Sequence, residues 1–236
     1  MLQRDVLDTI FENVNKDSII LDAGCGDGSY FRQIKSEVCQ SFGLDICVSD
    51  TLLKGNEDSN IIKGTISKLP FKEGTFDLIY SLSVIQFIDD DLGALNEIWR
   101  VLKPKGKVII TLPTRQSIYW ALRELEIKLG VYSSPQFNVS HHHYYRKNDI
   151  VEQVKARYRI ISIEGYGFNP APRALILCVN VLKRLMHKRD LLGGKTSISN
   201  KLATTREIAK GKKSPLLFRR RLANYSYHYI VVLEKM

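Results

Sequence analysis

The chain has 236 residues, 44% of them hydrophobic and 25% charged, and this balance suits one folded domain or one domain with an insertion; it excludes disordered, collagen-like and disulfide-scaffold classes. Its longest apolar stretch, Ala174–Leu182, is broken by Asn180 and falls far short of the ~20 residues that span a bilayer, the early acids do not read as a secretory leader, and Cys25, Cys39, Cys47 and Cys178 lack paired or CxxC spacing, as expected for reduced thiols of a cytosolic protein. The net charge of +10 is lopsided: residues 1–112 sum to −5, residues 113–236 to +15, and Arg173–Arg221 alone to +12.

In chain order, Leu2–Val14 carries apolar residues at 2, 6, 7, 10, 11 and 14, which predicts an amphipathic helix. Ser18–Asp22 is almost continuously apolar and runs into glycines, as a strand buried on both faces of a parallel sheet does. Tyr30–Val38 reads as helix, Gln40–Asp45 as a second strand, Asn60–Gly64 as a third and Thr75–Ser81 as a fourth. Asp89, Asp90 and Asp91 open a helix to Leu102, placing acids at its positive end. Pro104–Gly106 turns the chain into a fifth strand, Lys107–Leu112, and Tyr158–Phe168 and Tyr225–Leu233 are the later strand candidates. Strands alternating with helices predict right-handed βαβ units and a doubly wound α/β sheet.

The turn after the first strand holds the chemistry. Leu21-Asp-Ala-Gly-Cys-Gly-Asp-Gly28 places glycines at 24, 26 and 28, where a missing Cβ lets a ligand approach the backbone. Asp45 ends the next strand 17 residues beyond Gly28, where a carboxylate can accept from both hydroxyls of a ribose. A nicotinamide dinucleotide is the rival ligand, but its fingerprint wants a glycine where this chain has Ser29, and it uses the helix start for a pyrophosphate. The spacing here suits a nucleoside without phosphates.

Asp22–Gly28 resembles motif I of the class I S-adenosylmethionine-dependent methyltransferases, in particular the small-molecule group that includes quinone-biosynthesis enzymes. Gly43-Leu-Asp45, Leu69-Pro-Phe71, Thr75-Phe-Asp-Leu-Ile79 and Glu97-Ile-Trp-Arg-Val-Leu-Lys-Pro-Lys-Gly106 follow in the family's order. The resemblance implies a Rossmann-like, seven-stranded sheet whose last strand is antiparallel, with S-adenosyl-L-methionine as cofactor. It places Asp22, Gly24, Cys25, Gly26 and Gly28 against the methionine part, Asp45 on the ribose, Ile46 beside the adenine, Thr65 and Ile66 at the adenine edge, and Ser81 and Leu82 along the methionine moiety. Two positions depart from the family: Thr65 stands where Asp is frequent, and Gln86-Phe87 stand where Glu-His is frequent, so neither of the latter can act as a base.

Methyl transfer is an in-line displacement that asks the protein mainly to align a nucleophile and exclude water. For a hydroxyl acceptor a base helps, and the candidates are His141, His143 and Tyr144, with half-exposed loop residues as the competing reading. Adjacent histidines on a strand alternate faces and no acid or cysteine completes a zinc set, so no metal is expected. Gln86, Tyr119, Trp120 and Tyr145 are the expected acceptor-pocket residues, because segments after strand C-termini line the crevice of a doubly wound fold.

The basic stretch, residues 173–221, reads either as a lid whose cations face water or as a face for an anionic membrane. The whole chain is read as one domain: a cofactor-binding half (1–112), a substrate-side half (113–168), a basic helical insertion or lid (169–224) and a last strand (225–235). The expected function is methyl transfer to a small-molecule or lipid-linked acceptor, in the cytoplasm or at the membrane periphery. An RNA methyltransferase with the basic insertion on phosphates ranks lower, and a non-catalytic cofactor-binding protein is the third reading.

Overall fold

A computed structural model describes residues 2–48, 60–115, 120–121, 124–125, 128, 143–166 and 228–236. Seven strands form one sheet in the order β3-β2-β1-β4-β5-β7-β6. They are β1 (Ile19–Ala23), β2 (Gln40–Asp45), β3 (Ile61–Lys63), β4 (Phe76–Leu82), β5 (Leu102–Pro113), β6 (Tyr158–Tyr166) and β7 (His228–Lys235). The first five run parallel, and β7 inserts antiparallel between β5 and β6. The sheet is therefore mixed and Rossmann-like with an antiparallel last strand, as expected. The order reverses at β1, whose neighbours are β2 and β4, and the carboxyl ends of those strands meet there; such a switch point opens a ligand crevice in doubly wound sheets.

Side-chain alternation sorts the strand residues to two faces. Ile20, Leu78, Tyr80, Ile109, Ile230 and Val232 pack with Val6 and Ile10 of helix α1 (Leu2–Phe11) and with Ile34 of α2 (Ser29–Ile34). Leu21, Ile79, Val108, Ile110, Val231 and Leu233 pack with Ile98 of α3 (Asp91–Val101) and with Ile150 and Val154 of α4 (Lys147–Val154). Both faces are covered, which is why the strands read as apolar runs rather than as alternating ones.

Several elements differ from their predicted form. Helix α1 stops at Phe11, and the predicted second helix is a short α2 followed by a 3₁₀ turn at Lys35–Glu37. Helix α3 begins at Asp91 because Asp90 caps it, its Oδ1 accepting from Gly93 N–H at 2.8 Å. The predicted turn at Pro104–Gly106 is a bulge inside one strand: Phe76 pairs with Leu102 and Leu78 with Lys107, so the residues between loop out, with Lys105 at φ 62°. The described part of the last strand is His228–Lys235, and residues 225–227 of its predicted range lie outside the described residues. Helix α4 was not predicted. Its N-cap is Arg146, whose backbone N–H donates to Asp149 Oδ2, so the usual Ser, Thr, Asp or Asn start signal is missing. The basic insertion, with its predicted helix, lies outside the described residues. Among the described residues, no helix is long and apolar enough to cross a membrane.

Candidate functional site

The β1–α2 turn lies against the end of β2. Gly24 and Cys25 N–H both donate to Leu44 O, at 2.6 and 3.1 Å, and Gly28 N–H donates to Cys25 O. Gly24 sits at φ +93°, and a Cβ there would meet Val84 Cγ2 at 2.3 Å, so only glycine fits between this turn and the chain leaving β4. Asp45 is fixed beside the turn: its Oδ2 accepts from Gly26 N–H at 2.9 Å and its Oδ1 from Cys47 N–H at 2.8 Å. Each carboxylate oxygen keeps a second lone pair for a ligand hydroxyl. The next residue, Ile46, is 64% exposed, an apolar side chain held in water beside a carboxylate.

Behind the turn the site is polar and unsatisfied. Asp22 Oδ2, the Tyr80 hydroxyl, Ser81 Oγ and Gln86 Oε1 are buried with no hydrogen-bond partner among the described residues. Asp22 and Tyr80 face each other across the β1–β4 pairing, close enough to bias each other's protonation but not in hydrogen-bonding geometry. Burial pushes the Asp22 carboxyl up to about 8; the Tyr80 hydroxyl opposes this, and the charges of Asp45 and Asp27 add to it. Burial, with Asp22 and Asp45, also pushes the Cys25 thiol up to about 12, so Cys25 is a packing residue rather than a nucleophile. Asp27 is held low by hydrogen bonds from the Ser29 hydroxyl and N–H, and therefore carries its charge.

These residues fit S-adenosyl-L-methionine. The backbone is open at Gly26, where an added Cβ would meet nothing within 4 Å, a fixed carboxylate stands where a sugar diol would lie, and Asp27 and Asp45 beside the turn suit a ligand carrying a sulfonium and an ammonium. Buried polar atoms without partners each cost roughly 1–3 kcal/mol, which a polar ligand can recover. Thr65 and Ile66 are placed less simply. Thr65 Oγ1 already accepts from Ser67 N–H at 3.3 Å, and the Ile66 side chain is buried in the core. Leu82 is half-buried and packs on the α1 side of the sheet, while Ser81 faces the other way.

The remaining family-like segments hold the loop around the site. Glu97 Oε2 accepts from Leu69 N–H at 2.9 Å, and Arg100 donates to Phe71 O at 2.9 Å, to Leu69 O at 3.0 Å and to both Glu97 oxygens. Phe71 also packs edge-on against Phe42 and Phe76. Asp77 is structural, its Oδ2 accepting from Ile19 N–H and from Lys103 Nζ.

On the far side of the crevice, Ser83 turns the chain at φ 59°, held by its N–H on Thr111 Oγ1 at 2.8 Å. Val84 then abuts Gly24, and Ile85–Phe87 forms a 3₁₀ turn. Tyr145 N–H donates to Pro113 O and Arg115 N–H to Tyr145 O, which lays residues 143–145 beside the end of β5. His143 N–H donates to Gln86 O at 2.9 Å, and the Tyr145 hydroxyl donates to Asp91 Oδ2 at 2.9 Å. Of the predicted acceptor-side residues, Gln86, His143, Tyr144 and Tyr145 thus come together; Tyr144 is half-buried and Tyr145 fully buried. Trp120 lies elsewhere on the same side, under the Arg115 guanidinium at 5.6 Å. His141 and Tyr119 lie outside the described residues. Sequence reasoning missed Asp91 and Thr111. Asp91 looked like one of three helix-opening acids, and nothing local distinguishes the one whose carboxylate points inward.

Residues 21–110 match the family described as a methyltransferase domain. An uncharacterized protein of Methanocaldococcus jannaschii is 38% identical over 108 residues, 46% of this chain and 46% of its own. A malonyl-[acyl-carrier protein] O-methyltransferase of Enterobacter lignolyticus is 27% identical over 101 residues, 42% of this chain and 40% of its own. The matched region thus spans less than half the length of either relative. In fold, a solved structure of a SAM-dependent methyltransferase from Methanosarcina mazei superposes with a TM-score of 0.58 over 97% of each chain, at 13% identity.

Proposed function

We propose that this chain, whose residues 21–110 match a methyltransferase domain, moves a methyl group from S-adenosyl-L-methionine to a small-molecule or lipid-linked acceptor. The cofactor supplies an electrophilic methyl on a sulfonium. Asp45 holds its ribose, Ile46 flanks the adenine, and the Gly24–Gly28 turn with Asp22 and Ser81 receives the methionine part. The acceptor enters between the Ser83–Phe87 turn and residues 143–145.

The observation that carries this reading is the carboxylate of Asp45, fixed beside the glycine-rich turn by the N–H groups of Gly26 and Cys47 with exposed Ile46 next to it, in front of Asp22 Oδ2, which is buried without a partner among the described residues. The malonyl-[acyl-carrier protein] O-methyltransferase relative supports a small-molecule or lipid-linked acceptor. The strongly basic C-terminal half keeps RNA as the alternative.

The test supplies methyl-labelled cofactor to the purified chain with phenols and quinols, a lipid extract and total RNA in parallel. Label in the small-molecule or lipid fraction supports the reading. Label in RNA, with a steep loss of binding as salt rises, reverses it in favour of the phosphate-binding alternative.

A further inference from the structure

We propose that cofactor binding at this site expels a proton: Asp22 is a neutral carboxyl in the free protein and ionises when the ammonium of the methionine part enters, so that affinity rises with pH. The inference rests on the methyl-transfer reading above and adds a pH control to it.

Asp22 is the penultimate residue of β1, the strand at which the sheet order reverses, and it is 2% exposed. Its Oδ2 has no hydrogen-bond partner among the described residues. A carboxylate in such a place needs a cation or several donors to stay charged, and without them it takes up a proton. The elements packed around Asp22 supply neither. On β2 its register partner is Gly43, and the charge that strand brings is the Asp45 carboxylate. On β4 its register partner is Tyr80, whose hydroxyl is likewise buried without a partner among the described residues. The turn contributes the Cys25 thiol and the Asp27 carboxylate, and α2 contributes the Tyr30 phenol. Arg32 of α2 donates to Asp27 O and acts on the Asp27 charge. By alternation Asp22 shares the face of Ile20, to which α1 presents the apolar Val6 and Ile10. Among the described residues the charges that bear on Asp22 are thus negative, and burial together with them pushes its carboxyl up to about 8.

The ligand assigned to this site carries what these surroundings lack. An α-ammonium is cationic below about pH 8, and a cation drawn in by Asp27 and Asp45 reverses the sign of the field at Asp22. The Tyr80 hydroxyl, facing Asp22 across the β1–β4 pairing, then has a charged acceptor, and its hydrogen bond favours the ionised carboxyl. The proton leaves to solvent, and the negative charge it had neutralised is balanced by the ammonium. Below about pH 8 each step of one pH unit towards acid sets about ten times more protons against the ligand. The protein therefore loads its cofactor more weakly as its surroundings acidify.

The experiment titrates the full chain with S-adenosyl-L-homocysteine, which carries the ammonium and no sulfonium. Calorimetry at pH 6.5 in PIPES, MES and imidazole, which differ in heat of protonation, counts the protons released. Wild type should release about one proton per ligand, and its affinity should rise about tenfold between pH 6 and pH 7. Asp22→Asn should release about none and hold its affinity within about twofold over the same range. Infrared difference spectra add a readout that needs no binding by the variant. At pH 6.5 free wild type should show the C=O stretch of a protonated carboxyl that Asp22→Asn lacks, and saturation with the ligand should abolish it. Binding by wild type without proton release overturns the inference, as does equal release in Asp22→Asn or a carboxyl band that persists in the complex. A wild-type protein that binds no S-adenosyl-L-homocysteine overturns the methyl-transfer reading itself.

Discussion

The Asp22 carboxyl makes folding stability depend on pH in an unusual direction. In the unfolded chain it ionises at about 3.8, while burial in the fold pushes it up to about 8. The folded protein therefore holds a proton that the unfolded chain has released throughout the window from pH 4 to 8, and stability falls as pH rises across it. The slope is about 1.4 kcal/mol per pH unit, and the penalty saturates at roughly 6 kcal/mol above pH 8, where both states are ionised. Asparagine has nearly the same shape and no titration. Urea unfolding of wild type and Asp22→Asn at pH 5, 6, 7 and 8, without cofactor, isolates this group. The depressed carboxyls of Asp27 and Glu97 are common to both proteins and cancel in the difference. The stability of the variant relative to wild type should rise by about 4 kcal/mol between pH 5 and pH 8. Parallel stability curves would refute the claim that Asp22 is buried as a neutral acid.

Other outcomes follow from the same geometry. Gly24→Ala should lower the thermal midpoint through a strained positive φ, about 1–2 kcal/mol, and a clash with Val84; adding Val84→Ala should recover the clash and leave the φ cost. Thr111→Val removes the acceptor of the Ser83 N–H and should cost roughly 1–3 kcal/mol by denaturant titration, with the β4 turn loosened. Arg100→Lys cannot reach the Leu69 and Phe71 carbonyls and Glu97 together, and should speed amide exchange at Leu69 while leaving the β5–β7 ladder protected.

The parts legible in the chain are those whose signal is local. The Asp22–Gly28 turn, the carboxylate at Asp45 and the apolar parallel strands are each written within a few residues, and all fall where expected. Helix α4 was missed because its start lacks a capping side chain and only Ile150, Val151 and Val154 give it an apolar stripe. The Leu69–Phe71 segment carries no local sign of its dependence on Glu97 and Arg100, which shows only once α3 is laid beside it. The group of Gln86, Asp91, His143 and Tyr145 joins residues more than 50 positions apart, so no window contains it. A faint signal was present: His143 and Tyr145 are two apart and share a face of extended chain, which the run of three histidines obscured.

The central claim is that the β1–α2 turn holds a methionine-bearing nucleoside with Asp45 on its sugar. Isothermal titration of the purified chain with S-adenosyl-L-homocysteine, against Asp45→Ala, measures this directly. Saturable one-to-one binding that weakens at least about tenfold in the variant is the predicted result, as expected for losing charge-assisted hydrogen bonds to a diol. No binding heat in wild type, or equal affinity in the two proteins, would contradict it.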